Sequence, residues 1–325
     1  MILSTTEPLC IARDPATLQD LWSELARRRA RPTLFLTPEW IAVARSGDRR
    51  AQITLSIDQS RGIAALARDD DGTIAFAGGE FTDEKDVVAA PGDARAVALA
   101  LGRWIVEERA PRALLDDVPE SAPTADGLAS SLAGAGYDVR VERLVTAPRL
   151  ALPRDFEIYV QSLTKKERHE LRRKMRRLES GRRVAFRFAA ESERQAVLDR
   201  FVALHRRSRG EKAEFMTPRT ERFFRDIADV TAAPGWLRLG VLRVDGDDAA
   251  VLFAFAYEGT LSLYNAAYDP ALAGLSVGIV AHANAIRSAI ADGLHTYDLL
   301  RGDEPYKYDL GADDHWLLRV EATRR

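Results

Sequence analysis

The sequence predicts a mixed α/β (α+β) protein made of two copies of one unit, each a mostly antiparallel sheet flanked by helices. The order of elements is the first reason. Three strand-like stretches run into a helix and then a fourth strand, and the same order returns in the second half of the chain. The copies also keep register. Ala51 and Trp236 stand 185 residues apart (236 − 51), and Leu115 and Leu299 stand 184 apart (299 − 115). Size is the third reason: 325 residues is about twice a typical domain of roughly 150.

In the first half, Leu18, Leu21, Trp22 and Leu25 fall at helical spacing after Asp14-Pro15, a cap followed by proline at the first helical position. A short helix follows Thr37-Pro38. Strands are expected at Ala51–Ile57, Gly62–Arg68 and Thr73–Ala77, with turns at Asp58-Gln59-Ser60 and Asp70-Asp71-Gly72. Asp93–Arg109 reads as a helix burying Val97, Leu101, Trp104 and Ile105, and Ala113–Asp116 as a further strand. The second half repeats this with strands at Trp236–Val244, Ala249–Tyr257 and Thr260–Ala267, a helix at Ser276–Asp292 and a strand at Thr296–Leu300. Strand–turn–strand patterns are common, so chance similarity is the competing reading.

Between the halves lies Asp155–Gly181, read as one long amphipathic helix with Leu171, Met175 and Leu178 on its apolar face. Its polar face carries Lys165, Lys166, Arg168, Arg172, Arg173, Lys174, Arg176 and Arg177. That face is either solvated or a wall for an anion such as coenzyme A or tRNA. No stacking aromatics are interleaved with the charges. A second helix is expected at Ser192–Arg207. The division is 1–150, a structural or acceptor-binding half, and 151–325, a catalytic half entered through the basic helix at 155–181.

Composition narrows the class. Apolar residues make up 46% and charged residues 30%, the mix of a chain with a substantial core. The net charge of −2 speaks against a DNA-coating or polybasic membrane protein. The single cysteine, Cys10, allows neither an internal disulfide nor a cysteine zinc site, and fits a cytoplasmic location. Met1–Pro15 shows no leader pattern. The longest apolar run, Ala249–Tyr257, falls far short of the ~20 residues that span a bilayer. His169, His205, His282, His295 and His315 form no metal-binding spacing, so no metal is expected.

Three groups of residues are able to carry chemistry. Gly274, Leu275, Ser276, Val277 and Gly278 enter a helix directly after a strand, where backbone N–H groups attract phosphate. Two structural glycines at a helix start would look the same. Tyr297-Asp298-Leu299-Leu300-Arg301-Gly302-Asp303-Glu304-Pro305-Tyr306-Lys307 follows a strand end, where sites usually form. Asp298 or Asp303 suits a proton acceptor, and Arg301 and Lys307 suit a phosphate, a carboxylate or a developing oxyanion. An exposed charged loop anchored by Tyr306 is the plainer account. His205, in Leu204-His205-Arg206-Arg207, is the candidate site histidine, with a core role as the alternative.

Several segments together resemble a known family. Leu163–Arg173 with Leu178 and Gly181, Ala266-Ala267-Tyr268-Asp269-Pro270 with its glycine loop, Gly293–Lys307 and Thr37-Pro38-Glu39-Trp40 are similar to the FemAB-like, CelD-type (cellulose-biosynthesis) acetyltransferases of the GNAT superfamily. The YDxxRGDExYK stretch is the most specific of these. The resemblance implies a tandem duplicated GNAT-like acyl-CoA N-acyltransferase fold. It further implies transfer of an acyl group, acetyl above all, from acetyl-CoA or another acyl-CoA to an amine or hydroxyl of a small molecule, polysaccharide or lipid precursor. No permanently bound cofactor is implied. FemAB-type relatives use aminoacyl-tRNA instead on cell-wall precursors, and an inactive binding subunit is a further possibility. The usual coenzyme A loop, Arg/Gln-x-x-Gly-x-Gly/Ala, here reads Ala271 to Ser276, without the basic or amide first position and the second glycine. Taken together, these readings put Asp298, Asp303 and Lys307 in catalysis, Gly274, Leu275, Ser276, Val277 and Gly278 at the donor, and His205, Tyr268, Arg301 and Tyr306 at the substrate.

Overall fold

A computed structural model describes residues 10–208 and 214–325. The expectation about a leader in Met1–Pro15 therefore falls largely on residues outside that range. The chain forms two compact units: residues 1–146 with 315–325, and residues 147–314.

The sheet of unit 1 is built from β1 (Cys10–Ala12), β2 (Ala51–Ile57), β3 (Gly62–Arg68), β4 (Ile74–Phe76), β5 (Val88–Ala89), β6 (Arg112–Pro119) and β7 (Tyr137–Thr146). The C-terminal strand, Trp316–Arg324, inserts between β6 and β7, so the order is β1-β2-β3-β4-β6-C-terminal strand-β7, with β5 on β3. The expected turn between β2 and β3 holds three residues at positive φ: Asp58, Gln59 and Ser60. Four helices flank the sheet: α1 (Gln19–Arg28), α2 (Pro38–Arg45), α3 (Ala94–Glu107) and α4 (Thr124–Gly134). Thr37 caps α2 by accepting from the Trp40 N–H, with Pro38 at the first helical position. α3 buries Val97, Leu101, Trp104 and Ile105 as its spacing requires.

Unit 2 begins with β8 (Arg149–Ala151) and the helices α5 (Phe156–Ser162) and α6 (Lys165–Glu179). The single helix expected over Asp155–Gly181 is thus two helices. Leu163 leaves helical geometry, and Thr164 and Glu167 form a reciprocal capping box that starts α6 afresh. After β9 (Val184–Phe188) come α7 (Arg194–Arg207) and α8 (Pro218–Ala232). The meander is β10 (Leu237–Val244), β11 (Asp247–Tyr257) and β12 (Thr260–Tyr268), followed by α9 (Val277–Ala291), β13 (Thr296–Asp298) and the short α10 (Pro305–Asp309). The sheet order is β8-β13-β12-β11-β10-β9, antiparallel except for β12 with β13.

β11 is buried on both faces, which explains its unbroken apolar run. Ala250, Leu252 and Ala254 join the core that includes α9. Phe253 and Phe255 point the other way, as the two-residue strand period demands, where Phe253 meets Phe201, Phe224 and Tyr264. The duplication is visible element by element: β2 and β10 begin 186 residues apart (237 − 51), and α3 and α9 begin 183 apart (277 − 94). The sequence reading groups 151–325 together, whereas the contacts place 315–325 with unit 1. The nine residues of the C-terminal strand pair with β6 and β7, and the strand alternates buried Leu318, Val320 and Ala322 with the polar Arg319, Glu321 and Thr323. Among the described residues, no helix is long and apolar enough to cross a membrane.

Candidate active site

The site begins with a parting of strands. β12 pairs with β13 only at Thr260, Leu261 and Ser262. From Leu263 to Tyr268 the strand runs on without β13, and a bulge falls at Tyr264, where Phe253 faces Asn265 but Ala254 faces Leu263. A cavity of about 340 Å3 opens beside this stretch. Ala266 and Tyr268 of β12 form one wall, Ser276, Val277, Gly278 and Ile279 at the start of α9 another, and His282 and Tyr306 a third.

Ser276 sits in the left-handed conformation at φ 57° and offers no side-chain cap to α9. The Val280 N–H already returns to the Ser276 carbonyl. The N–H groups of the first turn before it are those that a helix leaves without an internal partner. They border the cavity and bring the positive end of the helix dipole to it. Gly278 keeps this wall low: a Cβ there would stand 3.6 Å from the Tyr268 ring.

The deep wall is aromatic. The His282 and Tyr306 rings stack with centroids 5.1 Å apart and planes 27° apart. His282 Nδ1 lies 3.0 Å from the Tyr297 hydroxyl. Burial holds the Tyr297 phenol protonated far above its usual range, with Tyr306 and Tyr159 adding to the effect. A protonated phenol both donates and accepts, so this bond joins the two rings in either imidazole tautomer. Tyr306 is likewise raised, first by burial and then by Glu304.

Of the residues expected at a site, Tyr268, Ser276, Val277, Gly278 and Tyr306 meet at this cavity. Gly274 and Leu275 do not line it. They lie on the 3-10 turn Pro270–Leu275, with Leu275 packed on the core. His205 is buried elsewhere, its Nε2 2.8 Å from Asn265 Oδ1 and its ring against Phe201. Its place is in the aromatic core on the opposite face of β11. Asp298 is also buried, in an ion pair with Arg149 at 2.6 Å, while its other oxygen accepts the Leu300 N–H at 2.9 Å. A carboxylate so engaged is not offered to a substrate proton.

Lys307 is 2% exposed, and its ammonium donates to the carbonyls of Leu300, Arg301 and Gly302 at 3.0, 2.7 and 3.1 Å. The ammonium also pairs with Glu304 Oε2 at 2.9 Å, so its three donors are shared among groups of that loop, which Leu300 and Gly302 enter at positive φ. Lys307 thus shapes the loop rather than contacting a ligand. Arg301 is half-buried and Asp303 exposed on the same loop. The residue missed from sequence is His282. Its signal was the four-residue step from Gly278 on one helix, which puts the two on the same face.

The basic face of α6 is partly engaged within the unit. Arg172 pairs with Glu157 at 2.8 Å, Arg173 with Glu170 at 2.5 Å, and Arg168 donates to the carbonyls of Gln161 and Leu163. Lys165, Lys166, Arg176 and Arg177 are exposed.

A family model described as an acetyltransferase (GNAT) domain matches residues 165–308. This segment, 144 of the 325 residues (308 − 165 + 1), is similar to the GNAT acetyltransferases. The matched segment runs from the first residue of α6 to Tyr308 and contains the whole cavity lining. Among solved structures, this chain is similar to the crystal structure of FemX, at 11% identity over 95% of this chain and 96% of that one, with a TM-score of 0.69. It is similar to the C-terminal DUF2156 domain of a putative lysylphosphatidylglycerol synthetase from Agrobacterium fabrum, at 13% identity, 96% and 93% coverage and a TM-score of 0.60. It is also similar to a tandem GNAT protein from the clavulanic acid biosynthesis pathway, at 11% identity, 96% and 97% coverage and a TM-score of 0.53. These likenesses are of fold, and the fold is the tandem GNAT-like, FemAB-like one. No curated protein matches the sequence.

Proposed function

We propose that the cavity of unit 2 receives an acyl thioester of the coenzyme A class and that the chain transfers its acyl group to an amine or hydroxyl. The parting of β12 from β13 beside the start of α9 carries this reading. It leaves strand N–H groups to align the donor and helix N–H groups to meet its phosphates. The cradle is backbone, so it survives the missing arginine or glutamine of the usual loop.

In the reaction, the acceptor nitrogen or oxygen attacks the thioester carbonyl carbon. The new bond forms as the C–S bond breaks and the thiolate leaves. The His282 ring and the backbone N–H groups of β12 supply hydrogen bonds for the developing oxyanion. Exposed Asp303 takes the proton released by the acceptor. Arg301 and Tyr268 at the loop and rim contact the substrates, and Tyr306 packs on the acyl group. Holding two substrates together supplies much of such an acceleration. Asp298 and Lys307 act by keeping the loop in shape. Unit 1 serves as structural support or acceptor-binding half, and a cytoplasmic setting suits a thioester donor.

Aminoacyl transfer from tRNA is the second reading, favoured by the FemX-like fold. The internal pairing of Arg172 and Arg173 counts against a tRNA wall. A thermal-shift series with acetyl-CoA, longer acyl-CoA and aminoacyl-tRNA tests both, because ligands of the folded state raise its melting temperature. Acyl-CoA is expected to raise it, and Gly278→Leu, which fills the cavity wall, to abolish the rise. A shift with aminoacyl-tRNA alone would transfer the case to the second reading, and no shift with any donor would leave a binding subunit.

A further inference from the structure

The sheet of unit 1 ends in an open edge. β7 pairs with the C-terminal strand on one side, and among the described residues no strand pairs with its other side. The strand is ten residues long and leaves every second backbone N–H and C=O pointing outward. Asp138 and Arg140 to Leu144 are exposed. Val141 is one of the large apolar side chains that the fold leaves open, although Val320, its cross-strand partner, is fully buried.

The outer face of this edge carries a charge ladder. Asp116 of β6 accepts two hydrogen bonds from Arg319 of the C-terminal strand, at 2.7 and 2.8 Å, and Arg112 pairs with Glu321 at 2.6 Å. Across the next gap, Arg319 stands opposite Glu142 of β7, and Glu321 opposite Arg140. One row reads acid, base, acid; the other reads base, acid, base. Both end at the edge on exposed charges, and neither Arg140 nor Glu142 makes an ion pair among the described residues. Charges guard an edge when they repel an incoming copy of it. Here one positive and one negative charge lie equidistant from Val141. A two-fold axis at Val141 sets Arg140 opposite Glu142 of a second copy, and Glu142 opposite its Arg140. Each row then runs on with no break in sign: Asp116, Arg319 and Glu142, followed by Arg140, Glu321 and Arg112 of the second copy. On the other face Val141 meets its own equivalent. Moving the axis by one residue would set Glu142 on Glu142 or Arg140 on Arg140. The regular stretch ends at a bulge at Leu144, since Arg143 faces Leu318 and Val145 faces Leu317. The pairing therefore spans Val139 to Arg143.

We propose that β7 is a self-association edge: it pairs antiparallel with β7 of a second copy of this chain, Val141 on Val141, and joins the two unit 1 sheets into one. Such an interface is isologous, so each charge pair forms twice. The proposal does not depend on the acyl-transfer reading. Sedimentation velocity of the full chain over a concentration series at low salt tests it, with twice the 36.0 kDa of one chain expected at the upper end. Arg140→Glu sets carboxylates opposite carboxylates across the axis, and Glu142→Arg sets guanidinium groups opposite guanidinium groups. Both positions are exposed, so the melting temperature is expected to be retained. Each variant alone is expected to dimerise about tenfold or more weakly than the parent chain. An equimolar mixture of the two is expected to regain the dimer, because each chain then meets opposite signs on the other. A parent chain that stays monomeric through the series would overturn the proposal. So would folded variants that dimerise as well as the parent, or that fail to associate when mixed.

Discussion

Arg149 and Asp298 stand opposite each other on the antiparallel pair β8 and β13, with Nε and Oδ2 2.6 Å apart and both side chains buried. The Arg149 backbone also exchanges two hydrogen bonds with Asp313, at 2.9 and 2.8 Å. One residue therefore ties the entry to unit 2, the strand under the loop and the end of the unit together.

Breaking such a pair by removing one partner leaves an uncompensated buried charge, at a cost of about 3–5 kcal/mol. Arg149→Ala is expected to lower unfolding stability by that amount in a denaturant titration. The double change Arg149→Met with Asp298→Leu is expected to cost less than either single change. Equal or additive losses would show that the pair does not act as a unit.

Lys307→Ala removes the ammonium from three carbonyls that have positive-φ neighbours. The sequence reading expects loss of transfer in an intact fold. The structure leads to a different expectation: stability falls by about 3 kcal/mol or more, and acyl transfer falls with it. A melting temperature unchanged from the parent chain would return Lys307 to the list of residues that touch substrate.

Alkaline pH provides a third test. Burial raises the phenols of Tyr159, Tyr297 and Tyr306 and pushes the Cys10 thiol up to about 12. Groups raised in the folded state stabilise it fully below their unfolded values, near 8.5 for cysteine and 10 for tyrosine. That contribution is lost as pH climbs through the folded values. Stability is thus expected to hold to about pH 8.5 and then decline, most steeply above about 10. In the native protein at pH 8 Cys10 is expected to react with a disulfide reagent far more slowly than a free thiol. Rapid native labelling would contradict this.

Salt provides the fourth. With Arg168, Arg172 and Arg173 engaged within the unit, polyanion binding has few cations to draw on. The logarithm of any tRNA affinity is expected to fall with log salt at a slope shallower than about −3, by the −0.7 per contact of single strands. A steep slope would identify α6 as a nucleic-acid surface.

The repeat was legible because its signals are local. The runs Ala51–Ile57 and Gly62–Arg68 are strands with those bounds, and Asp58-Gln59-Ser60 is the turn between them. Half of the cavity lining was legible for the same reason, since a strand end and a helix start sit next to each other in sequence. What stayed hidden is long-range. Nothing near Asp298 announces Arg149, 149 residues away, and no periodicity says that a buried lysine will turn to its own loop. His205 and His282 both lie on apolar helices; only the parting of β12 from β13 decides which one meets a cavity. The break between α5 and α6 was written in Thr164 and Glu167, but the basic run obscured it.

The insertion of Trp316–Arg324 between β6 and β7 also has a consequence for biosynthesis. Unit 1 lacks an inner strand of its sheet until Trp316–Arg324 is made, while everything in 147–314 is already available. Unit 2 can close as its own segment emerges, but unit 1 must wait with β6 and β7 unpaired toward each other, edges of the kind that invite wrong partners. Order of synthesis and order of completion run in opposite directions in this protein.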